Sequence, residues 1–103
     1  MLDLPPEQLE IVRRILVSLV PDKTVWAFGS RVEGEAKDHS DLDLAIVSDT
    51  SLSIDEIGRL REAFAESDIP FRVDIVDTAS VSGKLKDRIQ AAHEVVRDGS
   101  SEG

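Results

Sequence analysis

Three aspartates, Asp41, Asp43 and Asp74, are the residues of this 103-residue chain whose types and spacing could do chemistry. Asp41 and Asp43 lie two residues apart in an alternating segment, so they project from the same face of a strand. Asp74 joins them if its own strand pairs beside that one. Carboxylates this close repel one another unless a cation joins them, and oxygen ligands select hard ions such as Mg²⁺. The pattern therefore predicts a metal site, although an isolated Asp-x-Asp is more often only a solvated strand face.

A Gly-Ser pair precedes the aspartates, with ten residues between Ser30 and Asp41. Gly29 allows the backbone to approach a ligand closely, and the Ser30 hydroxyl and the adjacent amides can bind phosphate. Most Gly-Ser pairs are ordinary turns. Next to the paired carboxylates, however, this one indicates a phosphate-containing substrate beside a metal.

Helices and strands alternate in an order that can position these residues. Apolar periodicity predicts a helix over 5–20, strands over 23–28, 41–47 and 71–76, a helix over 53–67, a last helix after Ser80 or Ser82, and an edge strand over 93–97. The last helix should bury Leu85 and Ile89 on one face. The segment 29–40 is predicted to be a loop with room for a short helical turn. This order predicts an α/β (α+β) domain with a small mixed sheet of three to four strands backed by helices.

Composition narrows the class of protein. Twelve lysines and arginines against 21 aspartates and glutamates give a net charge of −9, which disfavours direct binding to nucleic acid or anionic lipid. The chain has no cysteine, and His39 and His93 are too far apart to suggest a zinc site. No apolar run approaches the ~18 residues of a membrane span. We therefore expect a cytoplasmic protein with one domain over 1–98 and a flexible tail over 99–103.

The run AFGSRVEGEAKDHSDLDLAIV at 27–47 resembles the signature of the minimal nucleotidyltransferases of the DNA polymerase β superfamily. That signature is a hydrophobic strand, Gly-Ser, about ten residues, and then Ser-Asp-x-Asp-Leu. Asp74 matches the family's third acid, and KLKDRIQAAHEVVRDG resembles its last helix and edge strand, so the resemblance covers nearly the whole chain. Two positions depart from the pattern. Glu33 stands where members often carry a basic residue, and His39 replaces a commonly small or acidic one, which puts substrate affinity or partner fit in doubt.

The resemblance implies a polymerase β-like fold and the transfer of a nucleotide from a nucleoside triphosphate to a hydroxyl group. It implies two Mg²⁺ ions, both bridged by Asp41 and Asp43, with Asp74 holding the ion that activates the hydroxyl. Gly29 and Ser30 would hold the β and γ phosphates, and the motif adds Ser40 and Arg31 to the nucleotide-binding residues. Arg31 could instead be a structural salt-bridge residue.

Two other residues near these motifs, Arg72 and His39, each have two possible roles. Arg72 could pair with an acid or meet the triphosphate, and His39 could shuttle a proton or be merely solvated. Trp26 and Phe28 could stack on a base, but core packing is the more common role of aromatic residues on a buried strand.

Stand-alone members of this size resemble the antitoxin half of toxin–antitoxin pairs whose toxin is a HEPN-domain ribonuclease. In that family the nucleotidyltransferase can transfer AMP from ATP to a toxin tyrosine. The resemblance therefore implies a protein adenylyltransferase that acts as an antitoxin, with a HEPN-domain toxin as partner. Two alternatives stay open: an antitoxin that neutralises by binding without turnover, and a subunit that modifies a small molecule such as an aminoglycoside.

Overall fold

A computed structural model describes residues 2–37 and 40–99, in which helices and strands alternate. The elements are α1 (Pro6–Leu19), β1 (Thr24–Phe28), α2 (Ser30–Glu33), β2 (Leu42–Val47), α3 (Ile54–Ala65), β3 (Val73–Asp77), α4 (Gly83–Ala91) and β4 (Glu94–Arg97). Every predicted helix and strand is present, and the helical turn expected after the first strand is α2.

The strands form one mixed sheet in the order β3-β2-β1-β4. Strand β1 pairs antiparallel with both β2 and β4, whereas β2 and β3 are parallel. A parallel pair needs a crossover connection, and α3 provides it between β2 and β3. The predicted mixed α/β architecture is therefore confirmed.

Apolar side chains pack on both faces of this sheet. The main core lies between one face and helices α1 and α3, and includes Leu16, Leu44 and Leu60. A smaller cluster on the other face joins Phe28, Ala45 and Ile89, with α4 as its cover. Because β2 residues alternate between the faces, Asp43 is directed to the side with the smaller cluster.

Local signals explain where the helices begin. Pro5 and Pro6 open α1, where the missing amide costs nothing. The predicted capping box opens α3, where the Glu56 amide donates to Ser53 Oγ (3.1 Å) and the Ser53 amide donates to Glu56 Oε1 (2.9 Å). Ser82 is the N-cap of α4 but makes no side-chain cap hydrogen bond.

Two sequence predictions need correction. The third strand begins at Val73 rather than at residue 71, because Phe71 instead packs on the main core beneath the Arg31 guanidinium. The Leu85 side chain is 37% exposed rather than buried with Ile89, because the smaller cluster covers only part of α4.

The end of the described chain is tied to β1. The Gly99 amide donates to Thr24 Oγ1 (3.1 Å), so the packed domain extends at least to this residue. Residues 100–103 of the expected tail, and His39, lie outside the described residues. In the part of the chain that the structure describes, no helix is long and apolar enough to cross a membrane.

Candidate active site

Asp43 and Asp74 face each other across the parallel pair of β2 and β3. They are register partners, and Phe28 is the partner of Asp43 on the other side of β2. Residues paired in this way point to the same face of a sheet, so both carboxylates lie on the face that carries the smaller cluster. Asp41 precedes β2 and is exposed. Pairing of the two strands therefore brings Asp74 beside the Asp-x-Asp segment, as the spacing predicted.

Negative charge is concentrated at Asp43. Burial raises the pKa of this carboxyl to about 6, and the neighbouring charges of Asp74 and Asp41 add to the rise. The anionic form is thus disfavoured by its surroundings. A bound cation would stabilise the Asp43 carboxylate and so offset the effects of burial and of the neighbouring negative charges.

The Gly29 backbone lies directly against the Asp43 carboxylate. Gly29 has φ 84° and ψ −158°, a conformation that L side chains rarely adopt. A Cβ atom at this position would collide with Asp43 Oδ2. Glycine is therefore required here, and Ser30 begins α2 immediately after it. The Gly-Ser pair and the carboxylate occupy one end of the sheet.

Arg31 and Ser40 hold the loop that leads into the aspartates. Arg31 is only 4% exposed, and its Nε donates to the Ser40 carbonyl (3.1 Å) while its Nη1 donates to the Asp3 carbonyl (2.9 Å). The Ser40 hydroxyl accepts a hydrogen bond from the Lys37 amide (2.8 Å). Of the two roles left open for Arg31, these contacts favour the structural one.

Arg72 pairs with Asp74, which is one of the two roles left open for it. Its Nε lies 3.0 Å from Asp74 Oδ1, and the two side chains are 74% and 40% exposed. In residues 2–37 and 40–99, no three carboxylate or histidine side chains are arranged around a common point as metal ligands. The donors still fit a hard cation, because they are carboxylate oxygens, and Asp43 stands opposite Asp74 in the parallel strands with Asp41 two residues before it.

Arg88 and Glu33 form an ion pair beside these carboxylates. Arg88 Nε donates to Glu33 Oε2 (2.9 Å) and Nη2 donates to Glu33 Oε1 (3.0 Å), which joins α4 to α2. This hydrogen bonding lowers the pKa of Glu33. Sequence periodicity placed Arg88 on the solvent face of its helix. No local pattern could reveal a partner 55 residues away.

The aromatic residues of β1 are used in packing. Phe28 is buried in the smaller cluster, and Trp26 packs against that cluster. The Trp26 ring stacks on His93 with 3.9 Å between ring centroids. Packing therefore accounts for Phe28 and for one face of Trp26.

Comparisons with known proteins identify the family of the chain. The family model described as polymerase beta, nucleotidyltransferase matches residues 12–102. The chain is 52% identical over 97 residues to the probable protein adenylyltransferase MntA of Haemophilus influenzae, an alignment that covers 94% of this chain and 85% of MntA.

Two solved structures share the fold. A crystal structure of a toxin–antitoxin with AMP-PNP superposes with a TM-score of 0.73 at 23% identity, covering 86% of this chain and 72% of that one. A chain of the Shewanella oneidensis complex of tri-AMPylated HEPN toxin with MNT antitoxin gives a TM-score of 0.67 at 21% identity, covering 88% and 70%. With the family model spanning most of the sequence, the chain belongs to the polymerase beta nucleotidyltransferase family.

Proposed function

We propose that this protein transfers AMP from ATP to a hydroxyl group, that of a tyrosine, on a partner HEPN-domain toxin and thereby acts as its antitoxin. The observation that carries the proposal is the Gly29 backbone lying against Asp43, which is itself paired with Asp74. The proposed phosphate-binding and metal-binding groups are thus neighbours at one end of the sheet. The 52% identity to MntA, a probable protein adenylyltransferase, supports a protein as the acceptor.

In the proposed reaction the acceptor hydroxyl loses its proton to solvent, its oxygen forms a bond to the α-phosphorus of ATP, and the bond from that phosphorus to the departing pyrophosphate breaks. Asp43 and Asp74, with Asp41, would hold two Mg²⁺ ions, which neutralise charge on the transferring and leaving oxygens when bound. Gly29 and the Ser30 hydroxyl would hold the β and γ phosphates.

Arg31 and Ser40 would contribute to the reaction through positioning. Their polar groups already bond to Asp3, Lys37 and one another, and these contacts fix the backbone immediately before Asp41. This modifies the expectation from sequence, in which both residues bound the nucleotide directly.

The solved complexes support the choice of partner. They are toxin–antitoxin structures, and in one of them the HEPN toxin is tri-AMPylated. The cytoplasm is the compartment we propose, because ATP is the substrate and a chain without cysteine suits a reducing environment.

A second candidate function is neutralisation by binding alone. The observation in its favour is the ion pair between Arg72 and Asp74, which occupies one oxygen of a proposed metal ligand. For transfer to occur, Asp74 has to exchange Arg72 for the cation.

Intact-mass measurement of the HEPN partner separates these candidates. The partner is incubated with this protein, ATP and Mg²⁺, and we expect its mass to rise by one or more AMP units. Asp43→Asn should abolish the increase while leaving the protein folded, because it removes a metal ligand but keeps the side-chain shape.

Asp49→Asn is the matched control, since Asp49 is exposed and follows the opposite end of β2. Full transfer by the Asp43→Asn variant would refute the metal assignment. A partner that is bound tightly but gains no mass would support neutralisation by binding, and a labelled small molecule in its place would support the aminoglycoside-type alternative.

A further inference from the structure

The ion pair between Glu33 and Arg88 lies at the proposed phosphate-binding loop. Glu33 ends the short helix α2 that begins at Ser30, directly after Gly29. Arg88 reaches it from α4 through two hydrogen bonds of 2.9 and 3.0 Å. The two side chains are 25% and 48% exposed, respectively, so the pair is accessible to a ligand.

Packing fixes Arg88 at the same end of the sheet as the carboxylates. The next residue, Ile89, packs against Phe28, and Phe28 is the register partner of Asp43. Arg88 and, through the ion pair, Glu33 therefore lie at the end of the sheet that carries Asp43 and the Gly29 backbone.

An acidic side chain next to a phosphate-binding loop repels the phosphates unless a nearby cation offsets its negative charge. The triphosphate of ATP is strongly anionic, so an unpaired Glu33 carboxylate would repel it. A guanidinium carries five N–H donors, of which the bonds to Glu33 use two, so donors remain for a phosphate oxygen.

We propose that Arg88 is a nucleotide-binding residue that contacts the β and γ phosphates, and that Glu33 is the positioning residue that aims its guanidinium at them. In this chain the cation is supplied from α4 instead of from the loop itself. This inference rests on the proposed function, because it takes a nucleoside triphosphate to be the substrate.

The test compares two variants that break the same ion pair. Binding of ATP with Mg²⁺ is measured by calorimetry for Arg88→Met and for Glu33→Gln, without any acceptor. We expect Arg88→Met to weaken ATP binding by about tenfold, as loss of a charge-assisted hydrogen bond does. Glu33→Gln should weaken ATP binding much less than Arg88→Met does, because the cation is kept and the glutamine amide oxygen can still accept a hydrogen bond from Arg88.

Transfer kinetics and a control variant complete the design. The KM for ATP should rise in Arg88→Met, while the KM for the HEPN partner stays unchanged. Lys84→Met, which removes an exposed cation from the same helix, should change none of these values.

The outcomes distinguish this inference from the proposed function. Equal weakening of ATP binding by Arg88→Met and Glu33→Gln would mean that the ion pair is purely structural, and unchanged binding in Arg88→Met would also refute the inference. If the unmodified protein binds ATP but never transfers AMP, only the proposed function fails. If it binds no ATP, both fail.

Discussion

Asp43 occupies a position that favours chemistry at the expense of folding. Its carboxylate is half-buried beside two other aspartates, and burial raises its pKa to about 6 from 3.8. Strong perturbation of this kind is common where a group is placed for binding or catalysis. The residue should therefore weaken the folded state when no cation is bound.

The cost at Asp43 predicts a pH-dependent gain in stability for Asp43→Asn. Because the folded-state pKa is raised, the stability associated with the protonated carboxyl is fully present below pH 3.8 and is lost as the pH rises through about 6. The shift alone corresponds to about 3 kcal/mol, which solvent screening of the half-exposed group reduces to about 1 to 2 kcal/mol. In chelator at pH 7.5 we expect Asp43→Asn to unfold with a free energy higher by that amount.

Urea denaturation across pH 4 to 8 checks this prediction. The two proteins should converge near pH 4, where Asp43 is protonated, and Mg²⁺ at pH 7.5 should stabilise only the protein that keeps the aspartate. Asp49→Asn again serves as the control. A destabilised Asp43→Asn protein, or a difference independent of pH, would contradict the assignment of the raised pKa.

Gly29 and Gly34 form a matched pair for testing the loop. Both have φ 84°, but a Cβ at Gly29 would collide with the Asp43 carboxylate, whereas a Cβ at Gly34 would meet nothing within 4 Å. We expect Gly29→Ala to abolish AMP transfer because Asp43 must move. Gly34→Ala should cost about 1 kcal/mol of unfolding free energy and leave transfer intact. Transfer assays and urea denaturation of both variants measure this, and retained transfer in Gly29→Ala would be the contrary result.

At the scale of helices and strands, the sequence predicted what local signals specify. Alternation on β2 placed Asp43 on the face opposite the main core, and the capping box located the start of α3. The start of β3 was predicted two residues early. Alternation continues through Phe71 and Arg72, but Phe71 is taken up by the core and by the Arg31 guanidinium, which no local pattern encodes.

The residues of the candidate site also fall into two groups, those that local sequence signals could predict and those that depend on tertiary packing. One short stretch of sequence contains Gly29, Ser30, Asp41 and Asp43, so a sequence motif was enough to predict that they share a site. Asp74 required only that two strands pair. The contact between Glu33 and Arg88, by contrast, depends on how α4 packs across the sheet, and periodicity alone classed Arg88 as solvated.

Helix α2 links these groups although it has only four residues. Gly29 precedes it against Asp43, Arg31 within it bonds to the Ser40 carbonyl, and Glu33 at its end holds Arg88. Movement of this helix would therefore displace a backbone contact, a loop and a cation together. The position of α2 therefore bears on the Gly29 backbone, the loop before Asp41 and the Arg88 side chain.

At the scale of the whole molecule, the net charge of −9 bears on association with the proposed HEPN-domain partner. A HEPN-domain ribonuclease must bind RNA, so its working surface is expected to be basic, and opposite net charges accelerate encounter. We expect the association rate of the two proteins to fall about tenfold between low salt and 0.5 M salt, where screening is nearly complete, while the dissociation rate changes little. Stopped-flow fluorescence over a salt series measures both rates, with a sucrose series of matched viscosity as control. If salt instead left the association rate unchanged, the acidic surface would play no part in finding the toxin, and apolar contacts would have to explain the encounter.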